Sequence, residues 1–294
     1  MKYAIPRRRV TTTAIVAVAA VTFGLLAACT AAPAATAGAS GAAGTSEPAP
    51  LLMHIHGAMR DPATGDLLLA THAGLFRQTG DSLDQVGPSI DLMGFAIGAD
   101  GTFHASGHPG AGVDLPQPVG LITSKDSGQT WQIASRGGES DFHALTVGPD
   151  AVAGFDGALR VSEDRTSWTV RDIPAPPRTL AASPQTGILL ATTEAGLLRS
   201  VDNAVTWQAL TPPETAVLVA WADEQTIVAA TTTGRLATSS DAGATWTLGP
   251  NALGAIDTLS ARRDDNGRVE IIVSIDGAVL KTTDAGASTD TLVP

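Results

Sequence analysis

The histidines of this chain have the spacing that most directly suggests chemistry. All of them lie within residues 54–143, and residues 144–294 contain none. His54 and His56 are two positions apart, so on a strand both rings project to the same side. Neutral imidazole nitrogens bind transition metals such as zinc and copper. The clustering predicts either a metal or ligand site, or polar residues that pack and bind water. The six residues are His54, His56, His72, His104, His108 and His143.

Carboxylates in the same part of the chain offer a second chemistry. Glycoside hydrolysis uses a pair of Asp or Glu side chains, and Glu139, Asp141 and Asp114 are the candidates. Solvated loop acids are the favoured interpretation of each. The chain has no Gly-x-Ser-x-Gly motif and no phosphate-cradling glycine-rich loop, so neither a serine-hydrolase triad nor a nucleotide site can be read from it.

The first 28 residues predict a targeting segment. Lys2 and Arg7, Arg8 and Arg9 precede an apolar stretch that ends at Cys29, the single cysteine. The segment "LLAAC" resembles a bacterial lipobox, which implies cleavage before Cys29, lipidation of that residue and anchoring outside the cytoplasm on the bacterial cell membrane. An ordinary secretory signal is the alternative. Residues 29–50 are nearly all Ala, Gly, Ser, Thr and Pro, which predicts a flexible tether.

Charge restricts the partners of the remaining chain. The leader carries four of the 18 Lys and Arg residues, so the rest has 14 against 29 Asp and Glu, a formal charge of −15. A surface this acidic disfavours nucleic acid and anionic lipid and favours cations. We therefore expect membrane association through the lipid anchor only.

A short motif repeats between residues 124 and 289. "SKDSGQTW" (124–131) recurs as "SVDNAVTW" (200–207) and "SSDAGATW" (239–246), with weaker copies "SEDRTSW" (162–168) and "TTDAGAST" (282–289). Asp, Gly, Ser and Thr at these positions are typical of a tight turn between strands. The Trp at the end of the motif is typical of a ring that packs between sheets. We therefore predict a structural role for the five aspartates, Asp126, Asp164, Asp202, Asp241 and Asp284.

The segments between the motifs read as short strands. Stretches such as "LLLATHAGLF" and "ILLATTEAGLL" indicate strand, turn, strand, which gives four strands in about 40 residues, the size of a propeller blade. Residues 51–294 therefore predict an all-β, six-bladed β-propeller; five or seven blades are the alternatives. The pattern begins with an inner strand and ends with an outer one, without an obvious interlock between the ends, and leaves open how the ring closes.

The turn motif resembles the Asp-box, or BNR repeat, of sialidase-like and sortilin-like propellers. The segments "HIHG", "ATHAGLF", "DLMGF", "ASGHPG" and "GESDFHAL" resemble secreted bacterial propellers labelled glycosyl hydrolase or exo-sialidase. A sialidase would need a Tyr nucleophile, but the only Tyr is Tyr3, within the leader. The resemblance therefore implies the fold without the sialidase mechanism.

The blade pattern predicts that most of the histidines share one face. His56, Met93 and His143 begin the inner strands of blades one to three, and the equivalents in later blades are expected at Thr179, Leu218 and Asp257. His72 and His108 follow the second strands of blades one and two, and Thr193 and Thr232 are the expected later equivalents of His72. His104 lies mid-strand and is expected in the core. The predicted metal ligands are His54, His56, His72, His108, His143 and Met93.

These observations lead to three hypotheses of function. The first is a binding module that holds a copper or zinc ion on the face of blades one to three, with Met93 as the soft ligand that would favour copper. The second is an exo-acting glycoside hydrolase that uses Glu139 or Asp141, with a metal-bound water as an option. The third is a scaffold that docks a protein partner, with incidental histidines.

Overall fold

The described residues form a ring of six antiparallel sheets. The computed structural model describes residues 54–294, and each sheet has four strands that are consecutive in the chain. The predicted fold class, a six-bladed all-β propeller, is therefore confirmed, with six blades and not five or seven. The leader (1–28), Cys29, the tether (29–50) and the first three residues of the predicted propeller lie outside the described residues.

The strands of the six blades follow one another without insertion of other elements. In blades one to three they are β1 (Ile55–Arg60), β2 (Leu67–Thr71), β3 (Gly74–Thr79), β4 (Ser82–Val86); β5 (Ile90–Ile97), β6 (Phe103–Pro109), β7 (Leu121–Ser124), β8 (Gln132–Ser135); β9 (Ala144–Val147), β10 (Val152–Phe155), β11 (Leu159–Ser162) and β12 (Thr169–Arg171). In blades four to six they are β13 (Pro177–Ala182), β14 (Leu189–Thr193), β15 (Gly196–Ser200), β16 (Gln208–Leu210); β17 (Ala216–Trp221), β18 (Ile227–Thr231), β19 (Leu236–Ser239), β20 (Thr247–Leu248); β21 (Thr258–Arg263), β22 (Val269–Ile275), β23 (Ala278–Thr282) and β24 (Asp290–Val293). Among residues 54–294, no helix is long and apolar enough to cross a bilayer.

Burial follows the position of a strand within its blade. The second strands β2, β14 and β18 are buried along their whole length, because neighbouring blades cover both of their faces. Their sequences, "LLLAT", "LLATT" and "IVAAT", are accordingly apolar runs without polar alternation. The outer strands β12 and β16 are largely exposed.

The ring closes by packing between blades six and one. The inner strand β1 contacts both β5 and β21, which completes the circle of inner strands. Ile55 and Phe76 of blade one share a buried cluster with Ile272 and Val293 of blade six, and the Ser260 hydroxyl donates to the Ala58 carbonyl at 2.6 Å. Within the described residues no sheet combines strands from the two ends of the chain.

The five aspartates of the repeated motif lie in turns that they hold by local hydrogen bonds. Asp126 Oδ1 accepts from the Thr130 backbone N–H at 2.9 Å, its Oδ2 accepts from the Thr130 hydroxyl at 2.6 Å, and the Ser124 hydroxyl donates to Oδ1 at 2.7 Å. These bonds lower the pKa of Asp126 to about 2, the Thr130 hydroxyl being the largest cause. Asp202, Asp241 and Asp284 repeat the arrangement. We call these five turns the Asp-turns.

The Trp that ends the motif packs between neighbouring blades, as Trp168 shows. The Trp168 ring stacks on Phe142 with centroids 4.9 Å apart, and its indole N–H donates to Ser135 of blade two at 2.9 Å. In blade one a two-residue hairpin turn with Gly80 at φ 61° takes the place of the motif.

The antiparallel order of the strands separates two faces of the ring. The inner strands start, and the second strands end, on one side, which we call the histidine face. The turns from first to second strand and the Asp-turns lie on the opposite side, which we call the turn face. The fold therefore places the five predicted histidine ligands on the face opposite the five aspartates of the motif.

Candidate functional site

β-Bulges shape the start of the inner strands on the histidine face. The pairing of β1 with β2 shifts at His56, and the pairing of β5 with β6 shifts in the same way at Met93. A bulge adds one residue on one strand and re-aims its side chain. The bulges therefore decide what the blades present at the mouth of the central channel.

Two histidines from blade one meet an aspartate from blade two. His72 Nδ1 lies 2.7 Å from Asp91 Oδ1, and His56 Nε2 lies 3.8 Å from the same oxygen. His56 Nε2 and His72 Nδ1 are 3.4 Å apart. These three atoms form a group that could hold a metal ion. The His54 ring stands edge-on to His72, with centroids 4.9 Å apart.

The Asp91 carboxylate is incompletely satisfied. The contact with His72 is short but lacks hydrogen-bond geometry, so Oδ1 is buried without a hydrogen-bond partner among residues 54–294. A buried carboxylate oxygen with no donor costs free energy unless a cation or a proton reaches it. Asp91 therefore offers a free ligand atom.

A second imidazole–carboxylate group lies beside the first. His108 Nε2 is 3.1 Å from Asp141 Oδ2, and His143 Nδ1 is 3.5 Å from the same oxygen. His108 is the residue paired with Asp91 across β5 and β6, which makes the two groups neighbours. Asp141 Oδ1 and His108 Nδ1 are buried and lack hydrogen-bond partners in the described part of the chain.

Burial and neighbouring charges favour neutral imidazole at His56. Burial is the largest cause that lowers its pKa below 6.5, the charge of His72 lowers it further, and Asp91 partly opposes both. A neutral imidazole is the form that binds a metal ion. The site therefore keeps a nitrogen lone pair available near neutral pH.

The structure corrects three of the expected equivalents, in blades four and five, by one residue, whereas Thr232 follows β18 as His72 follows β2. The bulges of β13 and β17 fall at Arg178 and Val217, not at Thr179 and Leu218. Thr193 pairs with Gly196 as Thr71 pairs with Gly74, so Glu194 rather than Thr193 corresponds to His72. Blades four to six thus place different residue types around the same ring, and the imidazoles are confined to blades one to three.

The remaining predicted residues have other surroundings. Met93 is half-buried at its bulge, and the close group of His56, His72 and Asp91 offers nitrogen and oxygen ligands only. His104 is completely buried, as expected for the core; its Nδ1–H donates to the Thr102 carbonyl at 3.1 Å, and burial lowers its pKa to about 4.

The carboxylates proposed for hydrolysis contact different residues. Glu139 is exposed and pairs with Arg136 at 3.3 Å, whereas Asp141 faces His108 and His143. Asp114 is exposed. Of these acids, Asp141 is the one in contact with the histidines.

Asp91 is the site residue that the sequence reasoning missed. The signal was present, because "HIH" (54–56), "DLM" (91–93) and "DFH" (141–143) occupy equivalent places in three consecutive blades. Asp91 takes the position of His54 and of Asp141 in that pattern. A comparison of the first and third residues of these three segments identifies Asp91 as a candidate ligand.

Comparisons with known proteins support the fold and go no further. Neither a protein-family model nor a curated protein matches the chain. A gluconolactonase from Xanthomonas campestris is 12% identical, with a TM-score of 0.60 over 79% of this chain and 86% of the other. An inactive virginiamycin B lyase from Staphylococcus aureus, solved with quinupristin, is 11% identical, with a TM-score of 0.56 over 84% and 86%. YCF48 from Cyanidioschyzon merolae is 14% identical, with a TM-score of 0.53 over 83% and 86%.

Proposed function

We propose that this propeller is a metal-binding module that holds a divalent transition metal ion, zinc in the first place, between His56, His72 and Asp91. The observation that carries the proposal is the spacing of the three ligand atoms. Ligands about 2.0–2.2 Å from a tetrahedral ion lie about 3.3–3.6 Å from one another. The three separations of 2.7, 3.4 and 3.8 Å bracket that range.

The ligand types favour zinc over copper. Two imidazoles and one carboxylate form a set that zinc accepts, with a fourth position left for water or a substrate. The sulfur of Met93 was the reason to prefer copper, and it is not needed to complete this group. His54, which packs against His72, is the nearest further imidazole.

Metal analysis of protein purified without a histidine tag tests the proposal. We expect about one zinc per chain after dialysis against trace zinc, and loss of that zinc in the double variant His56→Ala and His72→Ala. Asp257→Asn is the control, because Asp257 directly precedes the inner strand of blade six on the histidine face and lies outside the group of His56, His72 and Asp91. Retention of zinc by the double variant would refute the site, and copper in place of zinc would refute the choice of metal.

A metal-dependent hydrolase is the second candidate. The favouring observation is that Asp141 and His108 lie beside the metal ligands, where a carboxylate and an imidazole could take a proton from a metal-bound water. A panel of chromogenic glycosides tests it, and turnover that requires both zinc and Asp141 would establish it. The third hypothesis, a scaffold for a protein partner, would gain support if zinc binding fails while a partner binds.

We also propose that Cys29 anchors the propeller outside the cytoplasm and that the Asp-turns are of the Asp-box type. The lipobox resemblance supports the anchor, and the repeated hydrogen bonds of Asp126, Asp202, Asp241 and Asp284 support the turn type. Cell fractionation tests the first: Cys29→Ser should move the protein from the membrane fraction to the medium or periplasm, and an unchanged fraction would contradict anchoring.

A further inference from the structure

A large cavity opens on the turn face, at the other end of the central channel from the histidines. Its volume is about 600 Å³, and the inner strands of all six blades line it. Each blade contributes an apolar residue to its wall: Met59, Phe95, Leu145, Leu180, Val219 and Leu259. Polar and charged residues complete the wall, so a cavity of this size and lining suits a small amphipathic molecule.

Charged residues of blades five, six and one stand on one side of this cavity. Glu270 is buried and accepts from Arg60 through Oε1 and from Arg262 through Oε2, the latter at 2.6 Å. Arg263 pairs with Asp223 at 2.6 Å. Three arginines therefore face two carboxylates, a local net charge of +1 in a propeller that is strongly acidic overall.

Arg262 is the arginine with hydrogen-bonding capacity left. Glu270 holds it through Nε, and within residues 54–294 neither terminal nitrogen has a protein partner. The other two arginines use their terminal nitrogens, Arg60 on Gly65 and Glu270, and Arg263 on Gly267 and Thr226. A guanidinium fixed at Nε and open at both ends matches the geometry of a carboxylate.

Trp221 supplies a second, independent sign of a missing ligand. Trp221 is one of the residues that line the cavity and is only 6% exposed, and its indole Nε1–H is buried without an acceptor anywhere in the described chain. Tryptophan N–H groups usually find a partner when buried, and an orphaned donor costs free energy. Because this N–H has almost no accessible surface, a ligand oxygen would satisfy it after a small movement of the ring towards the cavity.

We propose that this cavity binds an amphipathic carboxylate, a small molecule with an apolar body and one anionic head. The apolar body fills the channel between the six inner strands, and Arg262 takes the carboxylate. The indole N–H of Trp221 donates to a ligand oxygen. The site is separate from the metal site, since the two lie at opposite ends of the inner strands.

Calorimetric titration with decanoate tests the proposal, with 1-decanol as the neutral ligand of the same chain length. We expect decanoate to bind more tightly than decanol. Arg262→Gln should weaken decanoate about tenfold or more and leave decanol unchanged, because only the carboxylate loses a charge-assisted bond. Trp221→Phe should weaken decanoate by a smaller factor while keeping the apolar wall.

Arg268→Gln is the matched control, because Arg268 is exposed, pairs with Asp264 in the same blade and lies outside the cavity. Zinc content should be unchanged in Arg262→Gln, so failure here and failure of the metal site are distinguishable. Three results would overturn the proposal: no heat of binding with decanoate, equal affinity for decanol, or an Arg262→Gln variant that binds decanoate as the Arg268→Gln control does.

Discussion

The two faces of this propeller use aspartate in opposite ways. On the turn face, Asp126 accepts three hydrogen bonds from residues within four positions of itself, and its pKa falls to about 2. On the histidine face, Asp91 and Asp141 each keep a buried oxygen without a hydrogen-bond partner among the described residues, and both face imidazoles. The comparison shows that a carboxylate satisfied by its own turn stabilises a blade, whereas one left unsatisfied between blades is free to bind a ligand.

The largest effects are expected when one aspartate of each kind is replaced by asparagine. The two replacements should have opposite effects on zinc affinity and on stability. Asp91→Asn should weaken zinc binding by about 100-fold or more, since even the loss of an outer-shell partner costs 10–100-fold. Its stability without metal should be unchanged or higher, because a buried unpaired charge is removed. Asp202→Asn should keep zinc affinity and lower stability. The carboxylate of Asp202 accepts three hydrogen bonds, one from the Ser200 hydroxyl and two from Thr206, and an amide cannot accept all three.

Zinc titration and urea unfolding of the two variants measure these effects. A stability loss in Asp91→Asn together with unchanged zinc affinity would reverse the assignment of roles. Isothermal calorimetry at fixed ionic strength keeps the comparison free of bulk charge effects.

Zinc itself should stabilise the histidine face. With free zinc 100-fold above its dissociation constant, binding adds about 2.7 kcal/mol to the free energy of unfolding. For a domain of this size that corresponds to a rise of about 5–10 °C in Tm. Differential scanning calorimetry of the wild type and Asp91→Asn checks this, and an equal rise in both would place the zinc elsewhere.

The buried His104 should make the propeller sensitive to mild acid. Burial, and then the charge of Arg165, lowers its pKa to about 4 in the folded state, against 6.5 unfolded. The unfolded chain therefore takes up a proton first as pH falls, and stability should drop by about 2 kcal/mol between pH 7 and pH 5. His104→Asn keeps a donor towards the Thr102 carbonyl and removes this titration. The variant should be less stable than the wild type at pH 7, but it should lose less of its free energy of unfolding between pH 7 and pH 5. Urea unfolding at both pH values measures the difference, and an unchanged slope would contradict it.

The smallest expected effect concerns a single Asp-turn. The Thr206 hydroxyl is the largest cause of the lowered pKa of Asp202, which is about 2. Because the folded pKa lies below the unfolded value, this stabilisation is complete above about pH 4 and is lost as pH falls towards 2. Thr206→Val should raise the pKa of Asp202 and move acid unfolding to a slightly higher pH, as carboxyl NMR titration and circular dichroism would show. Lys125→Val, in the Asp-turn of blade two but outside its hydrogen bonds, is the control.

Much of the fold follows from the sequence because the Asp-turns are local. Every bond of Asp126 joins residues within one motif, so the motif repeats in the sequence wherever the turn repeats in space. The Asp spacing therefore predicted the six blades, and the mid-strand position of His104 predicted that this residue is buried. The strand order then placed the histidines on the face opposite the motif.

The site itself is not local, and that limited the prediction. His56 and Asp91 are 35 residues apart and belong to different blades, so only the blade alignment could bring them together. The bulges at His56 and Met93 recur at Arg178 and Val217, one residue before the expected Thr179 and Leu218, because the sequence pattern of a strand does not mark the position of its bulge. A one-residue error in register reverses the face of every side chain.

The absence of an interlocking strand gives the described ring one joint unlike the others. Five junctions between blades are crossed by the polypeptide itself, whereas blades six and one touch only through side chains and hydrogen bonds such as that from Ser260 to Ala58. Transient opening of the circle therefore begins at this joint, and amide exchange should be fastest for buried groups beside it. Because His56 and His72 belong to the blade at that joint, a cation shared with Asp91 would fasten that blade to its covalently linked neighbour and leave the weak junction itself untouched.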